Sequence, residues 1–175
     1  GVIGVPLPVE KVLAHADALV AALSPDGLHD AAEAIMTTDA FPKKAVVRGR
    51  VGGKLVTIAG ITKGAGMICP DMATMLCFVL TDLAIPAKVM QSLLREAVED
   101  TLNSLTVDGD TSTNDTVLML ASGLAENAPI KTGSAAYRQV LAALTEALET
   151  IAIKKVLGPD ASKKAVESAA RLLAM

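Results

Sequence analysis

Thr74 stands at the junction between a cationic, glycine-bearing stretch, Lys63-Gly64-Ala65-Gly66, and the apolar run Met75-Leu76-Cys77-Phe78-Val79-Leu80. Ala73-Thr74 at that junction would place a hydroxyl and its backbone nitrogen at the mouth of a sheet. Gly64 and Gly66 would let the Lys63 turn bend freely in front of it. By itself the stretch also reads as a plain connector between two strands, because a lone glycine-rich loop is an unspecific motif.

Two further clusters gather polar groups. Thr37-Thr38-Asp39 brings two hydroxyls and a carboxylate to a helix end, and local side-chain to backbone hydrogen bonding accounts for it without a ligand. Asp108-Gly109-Asp110-Thr111-Ser112-Thr113-Asn114-Asp115 is denser. It fails as a calcium loop, since an EF-hand needs ligands at alternate positions, a later bidentate Glu and flanking helices. Two readings of it stay open: side chains bonded to their own backbone, or carboxylates placed near a reaction centre. Cys69 and Cys77 are too few for a disulfide framework and no His/Cys cluster has metal-ligand spacing, so no metal is expected.

The elements that must position these groups follow from periodicity. Pro8 to Leu23 carries Val9, Val12, Leu13, Ala16, Leu19, Val20 and Leu23 at helical spacing, with His15 off the stripe as a solvent-facing or capping residue. Ser24-Pro25-Asp26-Gly27 breaks that helix, and a second is expected over Leu28 to Met36. From Ala45 to Ile61 two β-branched runs flank Gly52-Gly53 and predict a hairpin. Ala73 to Thr81 is nearly all apolar and predicts a central strand buried on both faces. Pro86 opens a helix expected to run to about Asn103. Leu105 to Val107 is a short strand candidate and Thr116 to Ala121 a further buried strand. Ser134 caps a helix with Val140, Leu141, Leu144, Leu148 and Ile151 on one face; a last helix spans Ser162 to Ala174. Helices are thus available for both faces of a sheet, an α/β (α+β) arrangement.

With 175 residues the length favours a single domain over residues 1–175. A hydrophobic share of 51% against 20% charged excludes disorder, while the apolar runs are too short to span a bilayer. A net charge of −3 with 2% aromatics offers neither a basic field nor stacking platforms, so nucleic acid and membrane are not expected partners. The start, Gly1-Val2-Ile3-Gly4-Val5-Pro6, lacks Met, a basic n-region and an apolar h-region. The expectation is a chain cut from something longer, without a signal peptide, in a reducing cytoplasm.

Taken in order, Gly1 to Pro8, Ala34 to Asp39, Lys63 to Ile68, Pro70 to Leu76 and Thr106 to Asp115 resemble the bifunctional ornithine acetyltransferase / N-acetylglutamate synthase family of arginine biosynthesis. The resemblance implies an αββα sandwich like that of self-processing β-peptidyl aminopeptidases, and a precursor that cleaves itself at Ala73-Thr74. The freed Thr74 is the implied catalytic nucleophile. It takes acetyl from N-acetylornithine and passes it to glutamate, with no metal or obligatory coenzyme; acetyl-CoA is a donor in the family's synthase activity. Lys63 and Thr38 are the implied substrate contacts, with Gly64, Gly66, Asp108 and Asp110 in supporting loops.

The residue types suit that chemistry. An N-terminal Thr carries its own base, an α-amino group with a pKa near 8, so cleavage would create the catalyst. Gly64 and Gly66 suit a closely approached backbone during the attack on the Ala73 carbonyl. This sequence departs from the family in three places. The oxyanion-hole Thr-Gly pair, a device worth about 10²–10³ in rate, lies upstream of the motif at which this chain starts. A substrate-contacting Thr is replaced by Ala40, and a Glu-bearing stretch expected after Ile151 is replaced by Lys154-Lys155-Val156-Leu157-Gly158. Two alternatives follow: a catalytically inactive derivative that only folds and self-associates, or an N-terminal-nucleophile amidase. A missing strand and C-terminal region would uncover apolar sheet surface, so a homo-oligomer is expected.

Overall fold

The apolar stripe of Pro8 to Leu23 does not form one helix. In the computed structural model, which describes residues 4–65, 75–105 and 114–157 with side chains through Ala152, it divides into α1 (Val9–Leu13) and α2 (Ala16–Ala21). His15 makes the break: its ring Nδ1 lies 2.8 Å from the Lys11 carbonyl, while its backbone N–H turns to Val12 O at 3.1 Å. A side chain that takes a helical carbonyl competes with the backbone ladder. His15 is therefore exposed and capping, as expected, but no residue of α1 or α2 is buried. A third helix, α3 (Leu28–Ala34), ends slightly earlier than the sequence predicts and buries Ala32.

The predicted hairpin forms. Gly52 and Gly53 take φ of 57° and 84°, the pair of positive values that a two-residue turn with the right twist requires. They join β1 (Lys43–Val51) to β2 (Lys54–Lys63), with Val51 opposite Lys54 and Lys43 opposite Thr62. The next strand, β3 (Leu76–Thr81), runs antiparallel to β2, and β4 (Thr116–Ala121) runs parallel to β3. Parallel neighbours need a crossover, and α4 (Ala87–Glu99) lies in it, with Leu93 and Ala97 buried. It stops at Glu99 rather than near Asn103; a 3₁₀ turn at Leu102–Ser104 follows.

The pleat gives the sheet two different faces. Ala45, Gly60, Val79 and Met119 share one row and are buried. Against this face lies α5 (Ala135–Leu157), whose Val140, Leu144, Leu148 and Ile151 are fully buried. Its start is capped as predicted, Ser134 Oγ accepting the Tyr137 N–H at 3.1 Å. The next row, Val46, Ala59, Leu80 and Leu120, faces the other way. There Val46 is 50%, Leu80 41% and Leu120 57% exposed. β3 is central, as expected, but not buried on both faces. β4 is an edge among the described residues and only Met119 of it is buried.

The α/β class therefore holds: the described residues supply one sheet with α5 against one face, and α3 also in contact with β1 and β2. No described helix is long and apolar enough to cross a membrane. Of the short strand candidate, Leu105 is not in a strand and 106–107 lie outside the described residues, as does the helix over 162–174.

Gly60 is where α5 comes closest: a Cβ there would meet Ile151 Cδ1 at 2.6 Å. Gly60→Ala is expected to cost about 1–3 kcal/mol by overpacking. In an Ile151→Val background, which removes that methyl, the cost should fall clearly; urea unfolding of the four proteins measures the coupling.

Candidate active site

Lys63, Leu76 and Thr116 form one row at the end of the sheet where β2 leaves and β3 and β4 begin. Lys63 is half-buried on the face without α5. One step beyond it, Gly64 is buried and adopts φ 125°, which favours glycine. Its N–H donates to Asp39 Oδ1 at 2.8 Å, across 25 positions of chain. Asp39 Oδ2 accepts the Thr37 N–H at 3.3 Å, and Lys43 Nζ donates to Asp39 Oδ1. One carboxylate thus ties the Thr37 to Asp39 turn, the start of β1 and the end of β2 together.

The Asp39–Lys43 pair is buried, with both side chains almost fully withdrawn from solvent. Lys43 Nζ also lies 5.0 Å from the centre of the Phe41 ring, a cation–π distance. Burial by itself raises the Asp39 carboxyl. The hydrogen bonds from Lys43, Gly64 and Thr37 and the Lys43 charge outweigh it, and hold the group below its ordinary value of 3.8.

On the far side, Asp115 Oδ1 accepts the Met75 N–H at 2.7 Å, and the Thr116 N–H donates to Met75 O at 3.0 Å. Thr62, fully buried on the helix-covered face, donates its hydroxyl to Leu76 O at 3.0 Å and closes the same end of the sheet.

Of the residues predicted for the site, Lys63 and Gly64 lie together at this sheet end. Thr38 is an exposed neighbour of Asp39, brought near them by that carboxylate. Ala73, Thr74, Gly66, Asp108 and Asp110 lie outside the described residues. Among the described residues no group of three or more His, Cys, Asp or Glu side chains could hold a metal ion. Sequence reasoning saw Asp39 and Asp115 only as members of polar clusters and passed over Lys43. The signal for Lys43 was available: it shares strand parity with Ala45 and Val47, and an inward lysine needs a nearby anion.

These features define an α/β protein whose polar groups converge where a glycine turn leaves the sheet and a neighbouring strand begins. The ArgJ family model matches residues 1–170, and the chain belongs to the ArgJ family. "Arginine biosynthesis bifunctional protein ArgJ" of Symbiobacterium thermophilum is 53% identical over 95% of this chain and 42% of its own length. The protein of the same description from Geobacter sulfurreducens is 46% identical over 95% and 42%. The chain thus spans about two fifths of the length of these relatives. A crystal structure of the Bacillus halodurans ArgJ protein aligns with 44% of this chain and 36% of its own, at 42% identity and a TM-score of 0.42.

Asp39→Asn would leave the Lys43 ammonium buried without a counter-charge, at an expected cost of about 3–5 kcal/mol. Because the folded carboxyl is held low, its stabilisation should be fully present above the ordinary value of 3.8. It should be lost as pH falls through the lower folded value. Urea midpoints of the chain and of Asp39→Asn should therefore stand fully apart above that ordinary value and converge only as pH falls through the lowered folded one.

Proposed function

We propose that this chain is part of an N-terminal-threonine acyltransferase of arginine biosynthesis, activated by cleavage of its own Ala73-Thr74 bond. The observation that carries this reading is the family match through the Lys63 to Leu76 stretch, whose two flanks meet at one end of the sheet. In the cleavage step Thr74 Oγ attacks the Ala73 carbonyl carbon. Its proton passes to the Thr74 nitrogen as the C–N bond breaks, leaving an ester. Water then hydrolyses the ester to an Ala73 carboxylate and a free Thr74 with hydroxyl and α-amine.

In turnover the α-amine takes the hydroxyl proton while Thr74 Oγ attacks the acetyl carbonyl of N-acetylornithine. Ornithine leaves as the amine and acetyl-Thr74 remains. The amino group of glutamate attacks that ester, N-acetylglutamate leaves, and the hydroxyl is restored. Lys63, a half-buried cation at the sheet end, suits a substrate carboxylate, and Thr38 adds a hydroxyl nearby. Gly64, Gly66, Asp108 and Asp110 support the surrounding loops. The chemistry needs no metal or obligatory coenzyme, with acetyl-CoA as the donor in the synthase reaction; a cytoplasmic location fits such substrates. The exposed row through Val46, Leu80 and Leu120 supports self-association of the chain, since an apolar face of that kind is commonly covered.

Intact-mass measurement tests the first step. Two fragments meeting at Thr74 are expected; a single species near 17.9 kDa that persists for days would sink it. Incubation with N-acetylornithine and glutamate should transfer acetyl, and Thr74→Ala should abolish both cleavage and transfer. Equal rates in the two proteins would remove Thr74 from the role, and release of an amino acid from a short peptide instead would favour an amidase. Light scattering at micromolar concentration should report a dimer or larger; a clean monomer refutes self-association.

A further inference from the structure

The stretch that carries Ala73-Thr74 is held at both flanks by carboxylates distant in sequence. Upstream, the buried Asp39 accepts the Gly64 N–H at 2.8 Å; downstream, Asp115 accepts the Met75 N–H at 2.7 Å across 40 positions. Met75 is fixed at its carbonyl too, by the Thr116 N–H at 3.0 Å, and is only 7% exposed. Since Lys63 pairs with Leu76, Gly64 and Met75 are the next positions outward on neighbouring strands. An ionised acceptor makes a hydrogen bond roughly twice as strong as a neutral one. Both flanks are therefore tied more firmly than ladder bonds alone would tie them.

The Met75 N–H belongs to the peptide plane that Met75 shares with the residue before it. An acceptor on that N–H limits how the plane turns, and with it the direction in which the chain enters β3. We infer that Asp115 and Asp39 are positioning residues that frame this stretch. Asp115 holds the Met75 N–H and Asp39 the Lys63-Gly64 end, which fixes where the chain leaves β2 and where it enters β3 on either side of the bond to be cut. The inference rests on Ala73-Thr74 being the bond that is cut. It adds two residues, neither of which supplies an atom to the reaction. Reaction geometry is sensitive to such support: a misplacement of about 1 Å can cost about 10²-fold in rate.

The test compares the full chain with its Asp115→Ala and Asp115→Asn variants, following the appearance of the two fragments by intact mass. Asparagine keeps an oxygen that can accept the Met75 N–H, whereas alanine keeps none. Asp115→Ala is expected to slow cleavage about 10²-fold and Asp115→Asn to recover most of that loss. Amide hydrogen exchange supplies a second readout: Met75 should lose protection in Asp115→Ala and keep it in Asp115→Asn, with Gly64 protected in both. A double change, Asp39→Ala with Lys43→Met, removes the buried charges together and leaves the Gly64 N–H without its acceptor; it should slow cleavage and release Gly64 while Met75 stays protected. Should Asp115→Ala fail to fold, Asp115→Ser, whose shorter side chain does not span the distance, makes the same comparison. If folded Asp115→Ala cleaves as fast as the parent, or Asp115→Asn as slowly as Asp115→Ala, the frame is wrong while the cleavage reading stands. A parent chain that stays intact overturns both.

Discussion

Lys43 faces inward because the pleat leaves it no alternative: it shares a strand face with Ala45 and Val47, and Ala45 is buried. An ammonium in that position must meet an anion. Asp39 supplies it from four positions earlier and, once buried, has acceptor capacity to spare for Gly64 and Thr37. One electrostatic requirement on β1 thereby becomes a geometric one on the end of β2. The Gly64 turn and the half-buried Lys63 beside it stand where they do because a carboxylate two elements away needs partners. Such pairs add little net stability by themselves, since desolvation offsets attraction, but breaking one is expensive. The pair therefore acts more as a constraint on arrangement than as a source of stability.

The two faces of the sheet differ in their partners rather than in their polarity. The face carrying Ala45, Gly60 and Val79 accepts α5 so closely that glycine is needed at the crossing. The tie between the helices is polar at one point, Tyr137 Oη donating to Glu96 Oε2 at 2.9 Å. Burial and that carboxylate together raise the phenol above its ordinary value. The other face carries aliphatic side chains at the same spacing without a described layer over most of them. A sheet with two apolar faces is built for a three-layer or four-layer arrangement. That is consistent with a chain that spans only about two fifths of the relatives' length.

Much of this fold was legible in the sequence because the signals were local. Gly52-Gly53 fixed the hairpin through backbone sterics, Ser134 fixed the start of α5, and the leucine spacing of Val140 to Ile151 fixed its buried face. What escaped was decided by competition or by distance. The break at His15 depends on an imidazole outbidding an amide for the Lys11 carbonyl, which periodicity cannot register. The exposure of Leu80 and Leu120 depends on what lies above the sheet, whereas an apolar run looks the same whether or not it is covered. At the site, residue types pointed to Lys63 and Gly64, but the carboxylates that hold the turn and the following strand act across 25 and 40 positions. Only the fold brings them together.

The pairing of β2 with β3 has a consequence for any chain cut at Ala73-Thr74. Such a cut puts β1 and β2 on one polypeptide and β3, α4, β4 and α5 on another. The centre of the sheet, from Ile58 opposite Thr81 to Lys63 opposite Leu76, then becomes an interface between two molecules. It is stitched at both ends, by Thr62 to Leu76 at one, and by Asp82 and Thr81 to Thr57 at the other. The packing of α5 on Gly60 also crosses it. Folding that was unimolecular becomes association, and resistance to heat or urea becomes a function of protein concentration. A maturation step that leaves the shape untouched would thus change the thermodynamic order of the system, turning a domain core into a quaternary contact.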